Sequence, residues 1–254
     1  MDKYIYLKIK RKDNPDTSPR WEEFKIPYRP SMNIVSVLME IRKNPVNAQG
    51  EKTDPVVWEC NCLEEVCGAC SMLINGTPKQ ACSALIDKIY EKNGFGTPIV
   101  LEPLSKFPVI RDLMIDRSVM FENLKKVKAW VSVDGSFPIG RGPRLPEKTQ
   151  SWAYHISRCM TCGCCMEACP NVNIKSKFIG PTAIAQVRLF NAHPIGAMNK
   201  EIRLDALMED GGIQECGNSQ NCVRACPKEI PLTTHIAALN KDTNKYALKR
   251  WLTK

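Results

Sequence analysis

Thirteen cysteines fall into three short neighbourhoods of the 254-residue chain, residues 60–82, 159–169 and 216–226. Nothing else in the sequence constrains the fold as strongly, because thiols gathered in this way must converge on something. Their odd number and the adjacent pair Cys164-Cys165 argue against a disulfide framework. The first residues, MDKYIYLKIKRKD, lack the apolar core of a secretory signal, so the chain is expected to stay in the reducing cytoplasm. Metal ligation is the better reading.

The first group is Cys62-LEEV-Cys67-GA-Cys70, followed after eleven residues by Cys82. This is the C-x4-C-x2-C…C spacing of a plant-type 2Fe-2S site. Two irons bridged by two sulfides need thiolates from a tight loop plus one from a remote strand. Gly68 lets the loop backbone approach and aim N–H groups at sulfur. Cys82 returns on the far arm of a hairpin turned at Asn75-Gly76. Four cysteines can also build a tetrahedral zinc site, but the spacing favours iron and sulfide. Cys60 fits no ligand position and reads as a small, partly buried hydrophobe.

The second group, Cys159-MT-Cys162-GC-Cys165-MEA-Cys169-Pro170, is a full C-x2-C-x2-C-x3-C-P run. In two-cluster ferredoxins the first three cysteines of such a run hold one cubane and the fourth reaches across to the other. Cys164 is left over. The third group, Cys216-GNSQN-Cys222-VRA-Cys226-Pro227, is the same run with Ser219 where a cysteine would stand. Applied to both runs, the crossover rule assigns Cys159, Cys162, Cys165 and Cys226 to a 4Fe-4S cluster, and Cys169, Cys216 and Cys222 to the other site. With only three thiolates, that site is expected to hold 3Fe-4S. A serine alkoxide is a hard, high-pKa substitute for a soft thiolate and is the lesser alternative.

Between these groups the sequence changes character. YIYLKIKRK alternates as a half-buried strand and WEEFKIPY is a plausible hairpin partner. Ile34, Val37, Leu38 and Ile41 share one helical face, with Ser31 or Asn33 as N-cap. Val56–Trp58 is expected as a short strand, SMLINGTPKQ as a hairpin, and TPIVLEPL as a last strand. After Pro108, VIRDLMIDRSVMFENLKKVKAWV has helical spacing, and DGSFPIGRGPRLPEKTQ crosses to a helical block containing GPTAIAQVRLFNAHP and KEIRLDALMEDGG. The fold class is therefore α+β, with a boundary near residues 104–110: a 2Fe-2S domain over 1–106 and an all-α 4Fe-4S/3Fe-4S domain over 107–254.

Other chemistries find little support. GFGTP and GRGPR do not sit between a strand and a helix as a dinucleotide fingerprint requires, and no paired carboxylates or Ser/His/Asp arrangement stands out. A net charge of +9 suits an anionic surface, and is read as help in docking at a membrane or an acidic partner. Lys125, Lys126 and Lys128 have no interleaved aromatics to stack bases, so they read as a solvated helix face and no nucleic-acid partner is expected. His155, His193 and His235 are read as packed or surface residues and the methionines as core filler.

On these residues the chain resembles the iron-sulfur subunit of succinate dehydrogenase and fumarate reductase. NCLEEVCGACSMLING, FPVIRDLMIDR and KFIGP look like the form found with menaquinone-linked enzymes. The resemblance implies a β-grasp fold for the first domain and a bacterial-type ferredoxin fold for the second. It also implies a flavoprotein partner carrying covalent FAD that oxidises succinate. Electrons would run through 2Fe-2S, 4Fe-4S and 3Fe-4S to a quinone at a membrane anchor that often carries haem b. The chain would then lie peripherally on the cytoplasmic side of the cell membrane. In ubiquinone-linked members a tryptophan follows the C-P of the second group and a histidine follows the first cysteine of the third. Here CPNVNIKSKFIGP has no tryptophan and Gly217 follows Cys216, so menaquinone is the preferred acceptor. Only Pro170 carries over as a residue near the quinone. The alternatives are a fumarate reductase subunit working in reverse, a stand-alone ferredoxin-like carrier, and a structural zinc protein.

Overall fold

The structure, a computed structural model, describes residues 3–132 and 144–253. Most of the crossing stretch at 134–150 lies outside the described residues. The chain divides into two compact units, Met1–Arg117 with Cys162–Glu167, and Ser118–Thr161 with Ala168–Lys254.

The first unit is built on a five-stranded mixed sheet. In β1 (Tyr4–Arg11), Ile5, Leu7 and Ile9 are buried, as the period-2 pattern demands. It pairs antiparallel with β2 (Arg20–Pro27), Tyr4 opposite Pro27 and Arg11 opposite Arg20. The core face of helix α1 (Ile34–Lys43) carries Ile34, Val37, Leu38 and Ile41. Its N-cap is Asn33, whose side chain accepts from the Ser36 amide in a reciprocal capping box. Strands β3 (Ser71–Ile74) and β4 (Thr77–Gln80) form a hairpin in which Asn75 and Gly76 both have positive φ, 49° and 71°. After α2 (Ile86–Asn93), β5 (Ile99–Glu102) runs parallel to β1 and antiparallel to β3, giving the order β2-β1-β5-β3-β4. One sheet curled over one helix is the β-grasp arrangement.

Two expected elements differ. Val56–Trp58 is not a strand: the Val57 amide donates to Asp112 Oδ2 and its carbonyl accepts from Leu113. Nor does the helix begin after Pro108. Strands β6 (Val109–Arg111) and β7 (Met114–Ile115) come first, around Asp112 at φ 47°. The physical reason is one buried ion pair. Asp112 Oδ1 accepts from Arg11 Nε at 2.9 Å and from the Lys12 amide at 3.0 Å, which anchors the turn to the end of β1.

The helices that follow are α3 (Ser118–Lys126), α4 (Glu147–Ser157), the single turn α5 (Cys164–Ala168), α6 (Gly180–Ala192), α7 (Lys200–Met208), another single turn α8 (Asn221–Arg224) and α9 (Leu232–Leu252). Within the second unit α6 is the hub, with Gly180–Ala185 and Val187 all buried against its neighbours α3, α4, α7 and α9. Arg203 of α7 is also buried, with no carboxylate partner among the described residues. Its guanidinium donates to the carbonyls of Lys128, Gly196 and Trp130 at 2.8, 2.6 and 2.7 Å, so it fastens the end of the α3 region to the α6–α7 connection. Among the described residues no helix is long and apolar enough to cross a membrane.

Candidate metal centres

The loop between Cys62 and Cys70 turns back on its own sulfurs. Leu63, Glu65 and Gly68 all take positive φ, 62°, 56° and 75°, and the winding points amides inward. Those of Glu64, Val66 and Cys67 face Cys62 Sγ at 3.5, 3.3 and 3.3 Å, and the Ala69 amide faces Cys67 Sγ at 3.4 Å. Three converging donors hold the Cys62 thiol down at about 7. A cradle of N–H groups around sulfur suits an anionic cluster bound through thiolates. Cys82 lies in the turn just past the hairpin, its carbonyl held by the Asn33 side chain at 2.8 Å, so the cap of α1 also fixes the turn that carries Cys82. Arg117 donates to the Ala69 carbonyl at 2.7 Å and pairs with Glu59, which puts a cation beside the loop. Burial pushes the Cys70 thiol up to about 12. Cys60 is exposed, not partly buried as expected.

In the second cysteine group, Thr161 and Gly163 adopt positive φ and the amides of Met166 and Glu167 close onto the Gly163 carbonyl to start α5. Cys162, Cys164 and Cys165 are buried. The Cys164 thiol donates to Cys162 and draws its pKa down to about 7, while the same bond and burial drive Cys164 upward. Glu167, which no motif or periodicity marks out, is buried with its carboxylate accepting from Ser105 Oγ at 2.5 Å and the Lys106 amide at 3.0 Å. Cys159 is partly exposed.

In the third group, Asn218 and Gln220 take positive φ, and the loop encloses a small cavity. Cys169, Cys216, Cys222 and Ser219 all reach its wall. Three cysteines and one serine thus share one lining; three thiolates suit three irons, and a fourth iron there would have to take a serine oxygen. Burial pushes the Cys222 thiol up to about 11, with Cys169 and Cys216 adding to the effect. Asn171, also on the wall, donates to the Glu215 carbonyl. A Cβ added at Gly217 would stand 3.1 Å from Asn171 Nδ2. Cys226 Sγ accepts from the Ile230 amide at 3.4 Å, and Pro170 is exposed. Among the described residues no three His, Cys, Asp or Glu side chains are gathered as for a single ion; thiolates around an iron–sulfide core stand wider apart than around one zinc.

The histidines separate. His155 is exposed, and His193 accepts from the Gly196 amide at 3.4 Å. His235 is buried, its Nδ1 against Arg188, whose guanidinium lies 4.1 Å from the Trp152 ring centre. Burial and that cation lower His235 to about 4. Lys125, Lys126 and Lys128 are exposed; Lys125 pairs with Glu122 and Lys126 donates to the Asp210 carbonyl.

Residues 6–122 match the 2Fe-2S iron-sulfur cluster binding domain family, and residues 155–230 match the 4Fe-4S dicluster domain family. The chain is 62% identical over 249 residues to a succinate dehydrogenase iron-sulfur subunit of Bacillus subtilis (strain 168), covering 98% of this chain and 96% of that one. It is 30% identical over 228 residues to a fumarate reductase iron-sulfur subunit of Wolinella succinogenes, covering 89% and 90%. Its fold matches a chain of the Mycobacterium smegmatis Sdh1 complex in the apo form with a TM-score of 0.80 and 21% identity, over 96% of this chain and 97% of that one.

Proposed function

This chain belongs to the family of succinate dehydrogenase and fumarate reductase iron-sulfur subunits, and we propose how its eleven motif cysteines divide and which quinone it serves. It is an electron-transfer subunit of succinate dehydrogenase, working with a flavoprotein and membrane subunits. Its cofactors are 2Fe-2S, 4Fe-4S and 3Fe-4S clusters. The clusters supply one-electron carriers of unlike potential; the chain's own part is to hold and tune them.

In this reading Cys62, Cys67, Cys70 and Cys82 hold 2Fe-2S. Cys159, Cys162, Cys165 and Cys226 hold 4Fe-4S, and Cys169, Cys216 and Cys222 hold 3Fe-4S. The observation that carries it is the cavity whose wall brings together Cys169, Cys216, Cys222 and Ser219. Around Cys62, the backbone N–H groups offset the charge that the 2Fe-2S cluster gains on reduction. Backbone donors of this kind cost little to reorganise, because the fold fixes them before the electron arrives.

The acceptor in this reading is menaquinone, at a membrane anchor with haem b, and the chain lies peripherally on the cytoplasmic face of the membrane. Asn171 stands against Gly217, where ubiquinone-linked relatives place a histidine side chain, so the wall beside the three-iron site is built differently. Pro170 stays the one residue proposed near the quinone. The test is succinate-driven quinone reduction by the purified complex. A naphthoquinone should be reduced readily and a ubiquinone analogue poorly, whereas the opposite preference would remove menaquinone from the reading.

A further inference from the structure

Gln80, at the end of β4, is buried and its carboxamide reaches three side chains. Nε2 donates to Ser71 Oγ at 2.7 Å and to Cys164 Sγ at 3.6 Å, while Oε1 accepts from Cys70 Sγ at 3.5 Å. Ser71 in turn donates to the Gly68 carbonyl at 2.7 Å. Cys70, Ser71, Gln80 and Cys164 are each at most 3% exposed, so their hydrogen bonds are met by protein groups: one another, the Gly68 carbonyl and the Cys162 sulfur. One amide therefore spans a motif cysteine of the first group and the single cysteine that the spacing of the second leaves over.

The bond from Cys70 to Oε1 requires a proton on Cys70. A thiolate bound to iron has none to give, and a carbonyl oxygen facing it is repelled. A half-turn about the last side-chain bond exchanges the ends of the carboxamide without moving anything else. Nε2 then donates to the Cys70 sulfur, and Oε1 faces Ser71 and Cys164. A hydroxyl and a thiol can each donate or accept, so Ser71 turns its proton from the Gly68 carbonyl to Oε1 and Cys164 turns its own from the Cys162 sulfur. That gives the leftover cysteine a reason to be a thiol: an apolar side chain at 164 could meet neither end of the amide.

We propose that Gln80 is a positioning residue of the 2Fe-2S centre, its amide donating to the Cys70 sulfur in the cluster-loaded protein while Cys164 serves the other end. This rests on the assignment of Cys70 to that centre. A donor on a ligand sulfur stabilises the reduced, more negative form, so Gln80 raises the reduction potential.

The test uses the whole complex and anaerobic EPR with stepwise reduction. Gln80→Leu should lower the midpoint of the 2Fe-2S signal. Cys164→Ser, which keeps a group able to donate and accept, should leave it at the wild-type value, and Cys164→Val should lower it. Pulsed EPR on wild-type complex carrying 15N in its glutamine side-chain amides should show a nitrogen coupling, a readout that holds even if Gln80→Leu fails to assemble. A wild-type spectrum without that coupling, or an assembled Gln80→Leu centre with an unchanged midpoint, overturns the proposal. Cys70→Ala separates the two readings: a 2Fe-2S signal that survives it unaltered removes the ligand assignment itself.

Discussion

Arg11 and Asp112 face each other at 2.9 Å with both side chains fully buried. The aspartate also accepts from the amides of Lys12 and Val57, and the arginine also donates to the Asp54 carbonyl at 3.0 Å and pairs with Glu22. Every arm of the pair is thus satisfied, which is what makes a buried charge tolerable. Asp112→Ala should cost about 3 kcal/mol, because Arg11 Nε and the amides of Lys12 and Val57 lose their acceptor while Glu22 stays paired with the guanidinium. Chemical unfolding of wild type and variant measures this, and a loss below about 1 kcal/mol would mean that water reaches Arg11.

Thiol reactivity should follow the backbone. With clusters removed, Cys62 should be alkylated at pH 8 ahead of Cys70 and Cys222, since its thiol sits at about 7 and theirs at about 12 and about 11. The lowered Cys62 value also contributes stability that is present above its usual pKa of 9.0 and lost as pH falls through about 7. Timed alkylation read by mass spectrometry checks the order. Equal rates for the three would mean that the loop donors do not act on Cys62.

The cysteine spacings made the clusters legible, and alternation or helical periodicity made β1, α1 and the Asn75-Gly76 hairpin legible, because each is a local pattern. What stayed hidden is long-range or conformational. Gly68 announces a left-handed turn, but Leu63 and Glu65 adopt the same φ region with nothing in their side chains to signal it. The β6–β7 hairpin exists because Asp112 meets a residue 101 positions earlier, so its own sequence still reads as helix. Arg203 looks like one more surface charge until its three carbonyl partners appear. Ser219 shows the opposite case: a gap in a known spacing is visible at once, and the structure adds that its position lines the same cavity as three cysteines.

His235 should make the fold acid-sensitive. Its pKa of about 4 in the folded chain lies below the ordinary 6.5. The groups facing it are Arg188 from α6 and Trp152 and His155 from α4; Arg188 and His155 oppose an imidazolium, and the Trp152 ring face is already taken by the Arg188 guanidinium. Below pH 6.5 the unfolded chain takes the proton more readily, so stability present above that pH is lost as it falls towards 4. The loss amounts to about 3 kcal/mol at most. Against His235→Gln, the wild-type advantage should shrink by that order between pH 6.5 and 4. Parallel stability curves would show that His235 titrates normally.

The account turns on the fourth corner of the cavity formed by Cys169, Cys216 and Cys222. EPR of the oxidised complex, wild type against Ser219→Cys, addresses it most directly. Wild type should show a 3Fe-4S signal in the oxidised state. The variant should lose most of it and gain about one iron per chain as a four-iron cluster forms. An oxidised spectrum unchanged by the substitution, or a wild type already carrying two complete four-iron clusters, would contradict the ligand division on which the electron path is built.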